Sequence, residues 1–415
     1  MSQTFPIRAI TADEFPALAQ VAGEAFLQSW EPEAVELERQ VLEYDRTIAA
    51  FDGERMVSSA GAYSYQLTVP GGSVPAAGIT LVAVLPSHRR LGILTAMMQH
   101  LISDAVDRNE PVAILFASEA GIYRRFGFGQ ATSQLQLRLH RGYGTIADAD
   151  IVSSLPAPRL REAEPAKVST ELAASYETAR ASRPGQLARD ERWWPYVLDD
   201  PEFRRGGMSQ LRCLVAEDDN GPRGYALYRT KPDWTDGIAS GTLRIRELIA
   251  ADPAATAALW RDLLSRDLVG EVVAPIRPVD DPLLSLLADP RRARATVSDG
   301  LWVRLIDLPA ALSQRSYAAE IDIVLEVADA GLPANAGRWR LQASPGADGV
   351  KASCERTSAA ADLDLSVQAL GAGYLGSQIG QLAAAGQIRE LTPGAVGRLS
   401  AAMSHDPAPW SCMIF

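Results

Sequence analysis

Apolar positions along the chain repeat with two different periods, and the place where one gives way to the other marks its central motif. Ile79 to Leu85 is an unbroken apolar run rich in β-branched residues, which predicts a buried strand. Pro86 ends it. Ile93, Leu94, Met97, Met98, Leu101, Ile102 and Ala105 then recur at helical spacing and predict an amphipathic helix. Between the two lies a short basic turn, Arg89-Arg90-Leu91-Gly92.

The same reading extends to the whole chain. Ile7 to Ile10 predicts a strand. Thr11 and Glu14 form a capping box ahead of the apolar stripe Phe15, Leu18, Ala22, Ala25 and Phe26. Trp30 to Tyr44 reads as a second, acidic helix. Thr47 to Phe51 and Met56 to Leu67 read as strands around the Asp52-Gly53 turn. Val112 to Phe116 is another buried strand, and Ser133 to Leu139 is expected to close this first lobe. Ile151 to Pro165 is proline-rich and marks a boundary. The order then repeats: helix Thr170 to Ala181, strands Leu211 to Glu217, Gly224 to Arg229 and Leu243 to Ala250, helix Pro253 to Leu264, strand Glu271 to Pro275. Its turn, Ala250-Ala-Asp-Pro253, lacks the arginine pair and the glycine. Asp299 to Leu305 is read as the start of a third unit, continued by helix Leu308 to Leu312, strands Ile321 to Val327, Trp339 to Leu341 and Ala361 to Val367, and helices Leu370 to Leu375 and Ile379 to Ala385. The expected class is α/β (α+β), divided at 1–150, 151–298 and 299–415.

Composition narrows the partners. At 415 residues the chain exceeds one hydrophobic core. A net charge of −11 disfavours nucleic acid and suits a cationic small molecule. Cys213, Cys354 and Cys412 are far apart, and four histidines show no ligand spacing, so neither a disulfide framework nor a metal site is expected. No apolar run reaches the ~20 residues of a membrane helix, and no signal-peptide pattern opens the chain. A cytoplasmic protein is expected.

The basic turn has a chemical use. The first N–H groups of a helix lack intrahelical partners and carry partial positive charge. A glycine lets an anion approach the backbone, and two arginines add charge beside it. The expected ligand is a phosphate or pyrophosphate; a basic turn facing solvent is the other reading. No Lys-Ser/Thr follows, so a nucleoside triphosphate loop is not indicated, and the three glycines of a dinucleotide fingerprint are absent.

Strand Val82-x-Val84-x-Pro86, turn Arg89-Arg90-x-Gly92, second strand, then Tyr123-x-x-Phe126-Gly127-Phe128 resembles the GCN5-related N-acetyltransferase (GNAT) superfamily. The longer match, Val82 to Leu94, Ser118 to Phe128 and the final Phe415, resembles the Eis family of that superfamily. Leu94 stands where the superfamily has a small residue, and the Eis-type turn tolerates leucine there. The resemblance implies tandem GNAT-like lobes, the second without cofactor, followed by a sterol-carrier-like domain. Such domains can bind lipids; the favoured reading here is that it only packs against the catalytic lobe. It implies acetyl-coenzyme A as co-substrate, held by Val82, Ala83, Val84, Arg89, Arg90, Leu91, Gly92, Ile93, Leu94, Thr95, Ser118 and Glu119. It further implies a homo-oligomer, a hexamer, and no metal.

The reaction this implies is attack of an amine on a thioester. Backbone N–H groups of Val82 to Val84 suit the carbonyl oxygen, and Tyr123 suits the general acid that protonates the departing thiolate. An amphipathic tyrosine of the Phe126/Phe128 cluster is its other reading. The tail, Trp410 to Phe415, carries no charged side chain and reads as docked. Docking either only stabilises the fold or, as in the family, delivers the Phe415 α-carboxylate as base. A carboxylate near pKa ~3.5 and an alkyl ammonium near ~10.4 differ by about seven units, roughly 9 kcal/mol, so the carboxylate cannot simply keep the proton. Its firm contribution is to attract and orient a cationic amine such as an aminoglycoside, a polyamine or a lysine. The amine pocket is expected along the first helix pair, near Glu24, Trp30 and Glu31. The rival reading is a non-catalytic acyl-coenzyme A or lipid-binding regulator.

Overall fold

The computed structural model describes residues 5–147, 156–344, 351–376 and 378–415. The expected boundary at 150/151 and the start of the Ile151 stretch lie outside the described residues. Contacts divide the chain into two compact units. The first holds residues 1–132, 300–409 and 413–415, and the second holds 133–299 and 410–412.

The first unit contains a mixed sheet. Its strands are β1 (Ile7–Ala9), β2 (Thr47–Asp52), β3 (Arg55–Met56), β4 (Ser58–Val69), β5 (Gly72–Val84), β6 (Val112–Phe116) and β7 (Gly129–Gln130). The sheet runs β1-β2-β4-β5-β6, then Leu301–Leu305, then β7, with β3 paired to β2. Here the expectations need two corrections. Leu301–Leu305 does not open a separate third unit but fills the gap between β6 and β7. Ser133–His140 does not close the first lobe; it pairs with Val269–Pro278 and Thr296–Asp299 in the second unit. Ser133–His140 alternates between buried and exposed positions and Leu301–Leu305 is buried throughout; neither pattern names the sheet a strand joins, so local sequence could not assign them.

Helices α1 (Phe15–Phe26), α2 (Pro32–Arg39), α3 (Ile93–Asp107) and α4 (Ala120–Tyr123) belong to this unit. The capping box forms: the Thr11 N–H donates to the Glu14 carboxylate at 2.9 Å, and Arg8 also donates to it. The acidic helix is shorter than expected, because Pro32 fixes its first turn and the chain tightens into a 3₁₀ turn at Tyr44–Arg46. The α3 stripe is buried as its spacing requires, with Met97, Met98 and Ala105 at or near zero exposure. Buried Arg46 donates to Glu110 and Asp104, tying the far end of α3 to the 3₁₀ turn that leads into β2.

Residues 308–409 add a five-stranded sheet built around Ile321–Ala328 and Gly337–Ser344. The run 361–367 splits into a strand, Leu363–Ser366, and a helix, Val367–Gly373, because the Ser366 hydroxyl caps that helix. This helix lies against the first sheet with no room to spare. A Cβ on Gly371 would meet the Val303 carbonyl oxygen at 2.3 Å, and one on Gly129 would meet the Gln368 carbonyl oxygen at 2.1 Å.

The second unit is a seven-stranded sheet, in order Thr296–Asp299, Ser133–His140, Val269–Pro278, Gly241–Ala250, Gly221–Lys231, Arg212–Asp218, Arg159–Ala163. Ser169–Ala181 and Pro253–Ser265 are its longer helices.

Candidate active site

Strands β5 and β6 are parallel neighbours for only three pairs, Ala76↔Val112 to Gly78↔Ile114. Beyond Gly78 they part, leaving that edge of Val82, Ala83 and Val84 without a ladder partner on β6. A bulge accompanies the parting. Ser59 opposes Ala83 and Gly61 opposes Thr80, so β5 carries an extra residue, and Leu81 sits at φ +53°. A leucine in the left-handed region is strained, and the Ser59 hydroxyl, donating to the Leu81 carbonyl at 2.7 Å, helps to hold it. Such strain is found where backbone groups are being aimed.

The basic turn follows. Arg90 (φ +65°) and Gly92 (φ +84°) both take left-handed conformations. Gly92 is the N-cap of α3 and offers no side chain to it. The first intrahelical bond is from the Ala96 N–H to the Gly92 carbonyl. The N–H groups of Ile93, Leu94 and Thr95 therefore lack intrahelical acceptors. Arg89, Arg90, Leu91 and Thr95 are exposed and Ile93 is buried beneath them.

Past the end of β6 the chain passes through Ser118 and Glu119 into the single turn of α4, which carries Tyr123 inward. Tyr123 is 5% exposed and packs edge-on to Phe128. Burial pushes its phenol above the usual range, against a smaller opposing effect from the Ser118 hydroxyl and with the Glu119 charge adding to the rise. The phenol thus keeps its proton at neutral pH.

These three pieces share one cavity of about 680 Å³. Val82, Ala83, Val84, Arg89, Arg90, Gly92, Ile93, Leu94, Thr95, Ser118, Glu119 and Tyr123 line it. Leu91 does not: it points to solvent and is 52% exposed. The cavity also takes Phe26, Leu27, His88 and Arg125, which the sequence reading did not assign to it. Phe26 read as part of the core-facing stripe of the first helix and His88 gave no spacing signal; Arg125, two residues past Tyr123 in the Tyr-Arg-Arg-Phe run, could have been suspected. Open helix N–H groups, two exposed guanidiniums and an unpaired strand edge fit a thioester with a pyrophosphate tail.

Phe415 does not line that cavity. Its ring packs on Tyr65, Phe116 and Tyr63, with centroids 4.9, 5.6 and 6.5 Å away. It also lies beside Gly78, where an added Cβ would come within 3.1 Å of the Phe415 ring. The end of the chain therefore sits where β5 and β6 begin to part. Tyr63 in turn donates to Glu38 of α2. A second cavity, of about 570 Å³, lies along α1 and α2 and is lined by Glu24, Trp30, Gln28 and Glu36 among others; Glu31 is not among its lining residues.

Among the described residues no helix is long and apolar enough to cross a membrane, and no group of three or more acidic, histidine or cysteine side chains is placed to hold a metal. The three cysteines are buried and free.

Comparison with known proteins agrees with this geometry. Acetyltransferase (GNAT) domain models match residues 6–131 and 185–305, and a sterol carrier protein domain model matches residues 308–412. An uncharacterized N-acetyltransferase of Streptomyces avermitilis is 46% identical over 384 residues, 90% of each chain. The N-acetyltransferase Eis of Mycobacterium tuberculosis is 37% identical over 407 residues, 95% of this chain and 96% of its own. The crystal structure of Eis1 from Mycobacterium abscessus superposes with a TM-score of 0.83 at 33% identity, covering 99% of this chain and all of that one. The fold is therefore tandem GNAT domains followed by a sterol-carrier-like domain. The reading as a non-catalytic regulator gives way, since these relatives are named as N-acetyltransferases. With similarity of this extent along almost its whole length, the chain belongs to the Eis family of acetyl-coenzyme A-dependent N-acetyltransferases.

Proposed function

We propose that the enzyme acetylates primary amines of a cationic small molecule, in the class of aminoglycosides, polyamines or lysine side chains. The observation that carries this is the single cavity joining the parted strand edge, the Arg89–Gly92 turn and Tyr123. In this reading the N–H groups at the start of α3 and the two arginines hold the pyrophosphate. The open edge of Val82 to Val84 polarises the acetyl carbonyl and stabilises the oxyanion as the amine attacks directly. Tyr123 gives its proton to the departing thiolate. An unperturbed phenol near ~10 is already a weaker acid than a thiol near ~8.5 by roughly 2 kcal/mol, and burial of Tyr123 widens that gap, so the transfer relies on the amine shedding its own proton at the same time.

The acceptor side is acidic. Glu24 and Glu36 line the cavity along α1 and α2, and Glu38 stands beside the aromatic cluster that holds Phe415. The Phe415 α-carboxylate would add a further negative charge, orienting the ammonium and passing its proton on through water. A homo-oligomer, a hexamer, and a cytoplasmic location belong to the same proposal.

The test is release of free thiol from acetyl-coenzyme A across a panel of multi-amine drugs, polyamines, lysine peptides and neutral amines. Release should be fastest with the polycationic acceptors. Coenzyme A binding without release on any amine, or release indifferent to acceptor charge, would overturn the proposed substrate class.

A further inference from the structure

The second unit has a pocket of its own, of about 440 Å³, in which five arginines converge: Arg204, Arg205, Arg229, Arg244 and Arg246. Arg204 and Arg205 come from the turn-long helix Glu202–Arg205, and the others from two neighbouring strands, so the sequence scatters them over more than forty positions. One carboxylate, Asp200, contacts the group. It accepts from Arg229, pairs with Arg205 at 3.2 Å, and its backbone carbonyl also accepts from Arg205. Arg204 spends its guanidinium on the Tyr196 carbonyl and ring. Arg244 and Arg246 have no hydrogen-bond or ion-pair partner among the described residues. Five positive charges thus have one carboxylate in direct contact, with Glu247, itself paired with Arg189, the other negative charge acting on Arg246, in a protein whose overall charge is −11.

The backbone aims Arg246 deliberately. On Gly241–Ala250, Glu247 opposes Leu227 and Ile245 opposes Tyr228, so Arg246 is the extra residue of a bulge. The parallel pairing of this strand with Val269–Pro278 stops at Arg244↔Val273. Arg244 and Arg246 therefore flank the point where the strands part, with Pro275 and Ile276 forming the apolar wall. Arg229 is 6% exposed, and its Nε has no hydrogen-bond partner. An unsatisfied buried guanidinium N–H is costly unless an acceptor arrives. Burial and the neighbouring Arg204 depress the Arg246 guanidinium to about 10, and burial also depresses Arg229. The protein bears an excess of positive charge that a bound anion would relieve.

We propose that this pocket is a binding site for a small polyphosphorylated anion, held by bidentate guanidinium–phosphate pairs from Arg244 and Arg246 and completed by Arg229. Planar guanidinium forks match phosphate oxygens in pairs, and the pocket has room for two or three linked phosphates but not for a large polymer.

The probe is inorganic tripolyphosphate, titrated calorimetrically into the full-length protein with the first-lobe site saturated by coenzyme A. Wild-type protein should bind it, and the Arg244→Gln/Arg246→Gln double variant should bind at least tenfold more weakly. Arg246→Lys, which keeps the charge but not the fork, should fall between. Arg90→Ala should leave this binding event unchanged. As a readout that needs no variant, tripolyphosphate should shield Arg244 and Arg246 from phenylglyoxal labelling, whereas citrate at equal ionic strength should shield them less. A second coenzyme A equivalent lost in the double variant would identify the phosphates as the cofactor's own. Binding of tripolyphosphate alone would identify a free polyphosphate ligand. No binding to wild-type protein, or binding indifferent to both arginines, would overturn the proposal. So would a double variant that loses only self-association, because the occupant would then be another copy of this chain.

Discussion

The two GNAT lobes contain the same local device and use it differently. In each, a central strand parts from its parallel neighbour, a bulge marks the parting, and a helix follows. In the first lobe the bulge places Leu81 at φ +53° and leaves the edge of Val82 to Val84 open. In the second it throws Arg246 out of the ladder. The helix starts differ as well. Helix α3 begins at Gly92 with nothing in its N-cap, so an external anion can take that place. The corresponding helix, Pro253–Ser265, is closed by its own sequence. The Asp252 carboxylate accepts from the Ala255 N–H at 3.0 Å and is paired with Arg223 at 2.7 Å, and Pro253 removes one of the N–H groups altogether. After the neighbouring strand the first lobe supplies Ser118 and Tyr123. The second supplies Asp281, which pairs with Arg277 and caps the Leu283 N–H. A helix N-terminus is open to a ligand only where the chain has not already filled it, and this difference supports the proposal that the first lobe holds the cofactor.

The sharpest way to break this contrast is to remove the phenol proposed as the acid, which has its place in the first lobe. Tyr123→Phe should lower kcat by about a hundredfold or more, with coenzyme A affinity nearly unchanged. In the proposed role the phenol works protonated and burial raises its pKa, so a fall in wild-type activity caused by its titration should come at high pH. An alkaline limb in the pH–rate profile that survives in Tyr123→Phe would assign the limb to another group. Next, giving the first lobe the second lobe's negative charge, Gly92→Asp, should weaken coenzyme A binding by about a hundredfold. The carboxylate would occupy the anion's place beside the helix start, and calorimetry would show it. Amidating the α-carboxylate of Phe415, which leaves the ring in its aromatic contacts, should lower kcat by about tenfold while coenzyme A affinity holds. Unchanged turnover would remove the tail from the proposed mechanism. Smallest, Asp252→Ala should cost about 1 kcal/mol of stability through the lost cap without creating a second coenzyme A site at that helix, since Pro253 still lacks an N–H. A melting curve and a binding stoichiometry check both parts.

What could be read from the residues in order was whatever depends on neighbours in sequence. The Ile79–Leu85 strand, the helical stripe of α3, the Thr11–Glu14 capping box and the basic turn are each specified within one or two turns of chain. The family resemblance rested on these same local signatures. Sequence alone also showed the missing glycine chemistry of the second turn, because Ala250-Ala-Asp-Pro253 has no arginine pair and no glycine; that Asp252 closes the helix start is what the structure adds.

Tertiary structure decided the rest, for the reason that partner choice in a sheet and convergence in a pocket are not local properties. Chain order placed Ser133–His140 in the first lobe and Leu301–Leu305 in a third unit, but the pairing partners that decide the sheet lie far away in sequence. The five arginines of the second-lobe pocket never adjoin as a group in sequence; the one hint was the alternation Arg244-x-Arg246 on a strand, and a bulge is what turned it into a cluster. The position of Phe415 is the same kind of fact. An apolar tail announces that it will dock, but nothing in its six residues says that the ring will come to rest on Tyr65 and Phe116, where two strands begin to separate.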